Sequence, residues 1–230
     1  MKIGTCGFCE KHSQYYKDFD VLEIQNTFYD FVNEGWLEKL RKEAPDNFEF
    51  TIKAIQIITH PESSPTYRKF RSKFGNNSRY GFFRKTEEIY SSMEKMLEYS
   101  RILRSKIIIL QAPPNFKETK ENVENLHEFF SEFSDKEIIL GLELRAEWDT
   151  STIKKFTEKF GILHVTDPFR NISISDPFRY FRLHGITGYS YRYSTIDMLK
   201  LKNMVKDVDY ILFNNIYMCD NAKEFINLNK

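Results

Sequence analysis

Residues 86–111 read TEEIYSSMEKMLEYSRILRSKIIILQ, and the change of period inside that stretch decides the fold. From Thr86 to Leu103 the apolar residues Ile89, Met93, Met96, Leu97 and Leu103 fall on one face of a helical wheel, which predicts an amphipathic helix. Lys106–Gln111 follows as a short β-rich run. Helix followed directly by strand is the repeating unit of an α/β protein.

The alternation continues in both directions. Candidate strands are Lys2–Cys6, Val21–Gln25, Phe48–Ala54, Lys106–Gln111, Ile138–Glu143, Ile162–Thr166, Phe178–His184 and Tyr210–Asn214. Helical periodicity returns at Val123, Leu126, Phe130 and Phe133, at Ile153, Phe156 and Phe160, at Ile196, Leu199 and Val205, and at Ala222, Phe225 and Ile226. Repeated across 230 residues, this pattern predicts one α/β domain over 1–230, a (β/α)8 TIM-like barrel. A doubly wound open sheet is the competing architecture, but no G-x-G-x-x-G follows the first strand and no P-loop occurs.

Composition fits a folded domain. With 21 Phe and 13 Tyr, the chain can fill a large core without metals or disulfides. Its 34 basic and 33 acidic residues leave a net charge of +1, which argues against a global polyanion-attracting field and leaves room for a local patch. The longest apolar runs, such as Ile107–Leu110, are far shorter than the ~20 residues a membrane helix needs. Met1-Lys2 leads into Ile3-Gly4-Thr5 without a signal-peptide pattern, so the expectation is a cytoplasmic protein with no membrane partner. Three cysteines make a poor secreted framework, and Cys6-x-x-Cys9 reads as a reduced or locally bridged pair at the barrel rim. Oligomeric state is left open.

A barrel presents its chemistry at the C-terminal ends of its strands. Here those ends are unusually polar: Thr5-Cys6-Gly7, Glu23 to Tyr29, Thr51-Ile-Lys53, Gln111 to Pro114, Glu143-Leu-Arg145, Thr166-Asp167, Arg182-Leu-His184-Gly185 and Asn214-Asn215. Strand alternation puts Tyr180, Arg182 and His184 on one face and Phe181 and Leu183 on the other, and separates Glu143 and Arg145 from Leu142 and Leu144 in the same way. The apolar face meets the helices, so the polar face looks into the barrel.

These strand ends carry a resemblance. Glu-Ile-x-x-Thr-Phe-Tyr from Glu23, Lys53 followed by Thr59-His60, Gln-x-Pro-Pro-x-Phe at 111–116, Glu-x-Arg at 143–145, Asp167, Arg-x-His-Gly at 182–185 and Phe-Asn-Asn at 213–215 are similar to the YecE-like family, domain of unknown function 72. The motifs run in order along the whole chain. The resemblance implies a TIM-barrel-like fold with a polar cleft at the C-terminal face and no established reaction. This chain departs from the family at Gln25, where Asn is usual, and at Cys6-Gly-Phe-Cys9, where a Ser-Gly-Trp type of turn is usual.

Glu23 and Glu143 face one another across the predicted mouth as an acid and base pair, or else serve as ion-pair partners, Glu143 of Arg145 or Arg182 and Glu23 of Lys53. His184 is the third proton-transfer candidate, with an ordinary pKa suited to neutral pH. Tyr29, Lys53, His60, Gln111, Arg145, Asp167, Arg182, Asn214 and Asn215 are the substrate-binding candidates. A metal set of Glu143, Asp167 and His184 lacks H-x-H or H-E-x-x-H spacing and sits among cations, so no metal is expected, and no cofactor motif is present.

Residues 61–86, after the third strand, are expected to form a basic aromatic lid. Between Thr66 and Lys85 lie seven basic residues and no acid, interleaved with Tyr67, Phe70, Phe74, Tyr80, Phe82 and Phe83. Arg68, Lys69, Arg71 and Lys73, with Arg192 in the loop after the seventh strand, are the anion or nucleic-acid candidates. A lid with buried aromatics and solvated cations is the other reading of the same stretch. The function expected is an acid–base enzyme, hydrolase or isomerase, acting on an anionic, phosphate-bearing small molecule. The alternatives are a nucleic-acid-binding or repair-type protein and a non-enzymatic scaffold.

Overall fold

A computed structural model describes residues 1–134 and 137–229. The helix expected from Thr86 begins at Glu87 because the Thr86 hydroxyl accepts from Ile89 N–H, satisfying one of the free donors of the first turn. It ends at Leu103 where Arg104 turns left-handed. All eight expected strands form: β1 Lys2–Cys6, β2 Val21–Ile24, β3 Glu49–Lys53, β4 Ile107–Ala112, β5 Ile139–Leu144, β6 Leu163–His164, β7 Tyr180–Leu183 and β8 Tyr210–Phe213.

The strands are parallel, in the order β6-β5-β4-β3-β2-β1-β8-β7. The open edge is closed by Thr166, whose N–H donates to Tyr180 O at 3.3 Å and whose carbonyl accepts from Arg182 N–H at 2.9 Å. The result is one nearly closed (β/α)8 TIM-like barrel.

Around it lie α1 His12–Asp18, α2 Asn26–Tyr29, α3 Glu34–Glu43, α4 Gln56–Thr59, α5 Glu87–Leu103, α6 Lys120–Phe133, α7 Thr150–Phe160, α8 Thr195–Met204 and α9 Met218–Leu228. The unit between β6 and β7 has no helix among the described residues, a departure from strict eightfold alternation. The first four helices were not legible as periodic segments. Two are single turns, α1 buries only Tyr15, and α3 buries only Leu37 and Leu40.

Alternation divides the apolar residues into two clusters. Leu22, Ile24, Phe50, Ile52, Ile108 and Leu110 point outward against the helices, where Phe129, Phe130 and Phe133 of α6 are buried, each contributing about 1.5–3 kcal/mol. Val21, Ile107, Ile109, Leu163, Val165 and Leu212 fill the inside. Above that inner plug, toward the strand C-termini, the lining turns polar.

The segment 61–86 folds over the loop after β2. Asp30 accepts the backbone N–H groups of Arg71 at 2.7 Å and Ser72 at 3.3 Å. Gly81, Phe82 and Phe83 all have positive φ (86°, 59° and 56°), unfavourable for the two phenylalanines. That backbone lets their N–H groups reach the Ile57, Thr59 and Ile58 carbonyls of α4 at 2.8, 3.2 and 2.9 Å. A side chain on Gly81 would meet Pro61 N at 2.4 Å, so this close approach requires glycine.

The cysteine expectation is corrected. Cys9 bridges to Cys219, 210 residues away, and joins the loop after β1 to the first turn of α9. Cys6 is free and buried, because it is the inward residue at the end of β1. The odd cysteine count is one disulfide and one lining thiol. Among the described residues no helix is long and apolar enough to cross a membrane.

Candidate active site at the barrel mouth

Arg182 is the hub of the polar lining and has no solvent exposure. Its Nη2 donates to Glu23 Oε1 at 2.8 Å, and its Nη1 donates to Gln111 Oε1 at 2.9 Å and to Glu143 Oε2. Burial acts to weaken its charge, but Glu143 and Glu23 outweigh that and hold its pKa well above the usual guanidinium value. Among the described residues Arg182 Nε has no hydrogen-bond partner.

Glu23 is likewise fully buried. Besides Arg182 it accepts from Tyr180 OH at 2.9 Å and from Gln25 Nε2, and Thr51 Oγ1 lies 2.7 Å from Tyr180 OH. It therefore serves as an ion-pair partner, and its cation is Arg182 instead of Lys53. Carboxylates this enclosed persist only when paired and hydrogen-bonded.

Glu143 links this buried layer to the rim. Its Oε1 lies 2.9 Å from His184 Nε2 and 2.9 Å from Arg145 Nε. Burial pushes the carboxyl pKa up, yet the Arg182 and Arg145 charges prevail and hold it at about 2. His184 is driven the other way: burial lowers it to about 3, against the attraction of Glu143, so the ring is neutral at pH 7. An anionic Glu143 can only accept, which puts the single ring proton on Nε2. That leaves Nδ1 as the acceptor for Asn214 Nδ2 at 3.2 Å. Arg145 Nη2, which can only donate, lies 2.5 Å from the same Nε2, so with that nitrogen protonated two donors face each other, a repulsion relieved when the guanidinium turns to another acceptor.

On the other side of the mouth, Lys53 Nζ sits 3.8 Å from the centroid of the Phe28 ring. Among the described residues Nζ has no carboxylate within ion-pair distance. Burial, then Arg182, push its pKa down to about 7. His60 packs edge-on against the same ring at 5.1 Å, and its Nδ1 lies 2.7 Å from Thr59 Oγ1. Burial, with Lys53 and Arg145, lowers its pKa to about 3. Tyr29 stands beside Phe28 and carries Lys69 of the lid over its ring at 4.3 Å.

The mouth therefore gathers Tyr29, Lys53, His60, Gln111, Glu143, Arg145, Arg182, His184 and Asn214, with Glu23 beneath them. Three candidates fall elsewhere. Asp167 turns its carboxylate to the backbone, accepting Phe169 N–H at 3.0 Å and His184 N–H at 2.9 Å, so it holds the histidine's strand end in place. Asn215 points away from Asn214, donating to Tyr191 O at 2.7 Å and Asn221 Oδ1 at 2.8 Å. Arg192 lies on the outer rim near Asp220, 3.7 Å away, and over Tyr217.

In the lid, Arg68, Lys69, Arg71 and Lys73 are exposed and make no ion pairs among the described residues. Its aromatics pack inward. Tyr80 and Phe83 are buried, and Tyr67, Phe70 and Phe74 are half-buried against the core. An acidic neighbour of the lid is Glu88, 3.2 Å from Arg79.

The sequence turns Tyr180 inward by alternation and places Thr51, Gln25 and Phe28 at polar strand ends, but gives none of them a role; the structure puts Tyr180 and Gln25 on Glu23, Thr51 on Tyr180 and Phe28 against Lys53. Among the described residues no three His, Cys, Asp or Glu side chains converge as a metal ion requires.

A family model described as "Protein of unknown function DUF72" matches residues 10–228. Among solved structures, the chain is similar to a DUF72 family protein from Enterococcus faecalis V583, with 18% identity and a TM-score of 0.70 over 100% of this chain and 95% of that one. A DUF72 family protein from Thermotoga maritima MSB8 is 22% identical, with a TM-score of 0.67 over 99% and 98% of the two chains. A xylose isomerase domain containing protein from Salmonella typhimurium LT2 shares the barrel at 13% identity and a TM-score of 0.57, over 96% of this chain and 91% of that one. No curated protein matches the chain.

Proposed function

The chain belongs to the DUF72 family, and we propose that this member is an acid–base enzyme acting on an anionic, phosphate-bearing small molecule at the barrel mouth. The observation that carries the reading is the charge order of the lining. Arg182 engages both Glu23 and Glu143 in the buried layer, while Arg145, Lys53 and Lys69 stand above them. Cations above satisfied carboxylates form an anion site, since each charge-assisted hydrogen bond contributes about 1.5–3 kcal/mol.

An anion at the mouth gives Arg145 another acceptor and draws it away from His184 Nε2. His184, oriented by Glu143, and His60, oriented by Thr59, are the proton-transfer groups. Both are neutral at pH 7, and burial makes them weak bases, so each relays a proton without holding it. Glu143, held anionic, positions His184, and Glu23 positions Arg182. Gln111, Asn214 and Tyr29 orient the ligand. Hydrolysis and isomerisation are the reaction classes such groups serve.

The test is a screen of phosphorylated metabolites for binding and turnover, repeated on Glu143→Gln and His184→Ala. Loss of turnover in both supports the assignment, and unchanged affinity and turnover in both overturns it. A second reading, binding of a nucleic-acid backbone, is favoured by the exposed lid cations Arg68, Lys69, Arg71 and Lys73. It predicts affinity that falls steeply with salt and with substitution of Arg68, Arg71 and Lys73. Salt-independent or absent binding to single- and double-stranded DNA and RNA removes it.

A further inference from the structure

Lys53 is placed unlike the other charged groups of the barrel. It is the last residue of β3, points inward and is 6% exposed. The two carboxylates near it are both engaged by Arg182. What Nζ touches is the face of Phe28, and that ring also carries His60, whose Nε2 has no partner among the described residues. A buried amine with no counter-ion, beside a neutral imidazole with one free nitrogen, is the arrangement of an amine nucleophile and its proton carrier.

The geometry points to Lys53 as a nucleophile that forms an imine with an aldehyde or ketone held in the mouth, His60 moving the protons. The inference rests on the reading of the mouth as an anion site and narrows the substrate to a molecule with both a carbonyl and an anionic group. Lys53 nitrogen adds to the carbonyl carbon, forming the C–N bond, and the oxygen takes one amine proton through His60 Nε2 to give the carbinolamine. The oxygen then leaves as water with the second amine proton as the C=N bond closes. No oxidant or reductant is consumed.

The surrounding charges favour a neutral amine. Burial and Arg182 on β7 lower its proton affinity, Glu23 on β2, Glu143 on β5 and Cys6 on β1 oppose them, and the balance falls at about 7. At neutral pH Lys53 is divided between the ammonium that attracts the anion and the free amine that attacks the carbonyl, whereas a solvated lysine is almost wholly ammonium. The Phe28 face accommodates an ammonium and a protonated imine alike.

The test is trapping. The full chain is incubated with D-glyceraldehyde 3-phosphate or with pyruvate in the presence of sodium cyanoborohydride, then mapped by peptide mass spectrometry. The expected result is a reduced adduct on Lys53 forming roughly tenfold faster than on any surface lysine at neutral pH. Lys53→Arg, which keeps a cation in the lining, is expected to lose it while retaining a cooperative thermal transition. Equal labelling of surface lysines, or an unlabelled Lys53, overturns the inference. Inorganic phosphate binding by thermal shift separates the two levels: phosphate binding that depends on Arg145 with Lys53 unlabelled removes the imine and keeps the anion site. Absence of both removes both.

Discussion

Arg182 Nη2 donates to Glu23 Oε1 at 2.8 Å in the middle of the barrel, and neither side chain has any solvent exposure. The guanidinium also serves Glu143 and Gln111, so one residue of β7 satisfies groups from β2, β4 and β5. Replacing it with Met leaves Glu23 buried without a cation and Glu143 with Arg145 alone, and breaking such a pair from one side costs about 3–5 kcal/mol. Urea denaturation of Arg182→Met should show that loss or the absence of a cooperative transition. A loss below about 1 kcal/mol would mean that the lining is wetter than described.

Stability should depend on pH through the buried histidines. Burial lowers His60 and His184 to about 3 and His164 to about 4, against an ordinary value of 6.5. Between those limits the unfolded chain binds more protons than the folded one, so stability is fully present above pH 6.5 and is lost as pH falls toward 3 to 4. Near pH 5 the slope should approach about 4 kcal/mol per pH unit, from close to three protons. Glu143, also lowered, acts with the same sign at the acid end, while Asp167, raised by burial, subtracts part of its share. Calorimetry across pH 4.5 to 7 reads the slope, and a flat profile contradicts neutral buried rings.

The proton on His184 is assigned to Nε2 because Glu143 can only accept. Nitrogen-15 chemical shifts of the ring at pH 7 should show Nε2 protonated and Nδ1 bare. The opposite tautomer would mean that Asn214 presents its oxygen and that Arg145, not Glu143, orients the ring.

Native protein should contain no thiol that reacts quickly with Ellman's reagent. Cys9 and Cys219 are bridged and Cys6 is buried, with its pKa pushed up by that burial. Denaturation without reductant should release one thiol. Closing so long a loop should stabilise the fold by about 3–5 kcal/mol, read by comparing oxidised and reduced protein. Three thiols on denaturation would contradict the bridge.

Much of this was legible from the chain. Parallel strands of a barrel carry their outward residues against helices, so Ile108 and Leu110 announced β4 and the Arg182/His184 alternation announced the polar lining. Alternation does not reach Asn215, which lies past the end of β8 at Phe213 and turns away from the mouth. Beyond a strand end that logic lapses. Loop geometry decides where Asp167 and Arg192 point, and the Cys9–Cys219 contact joins residues at opposite ends of the sequence. The lid's aromatics were ambiguous because a packing face and a stacking face have the same composition. The small helices α2 and α4 contain a single turn each, too short to show a period.

The most direct measurement is isothermal titration of a sugar phosphate selected by thermal shift, carried out on the natural chain, on Arg145→Ala and on Lys53→Met. Saturable binding with a loss of affinity of roughly tenfold or more in each variant, the size of one charge-assisted hydrogen bond, is the expected result. Binding of the same affinity in all three proteins would contradict an anion site at the barrel mouth.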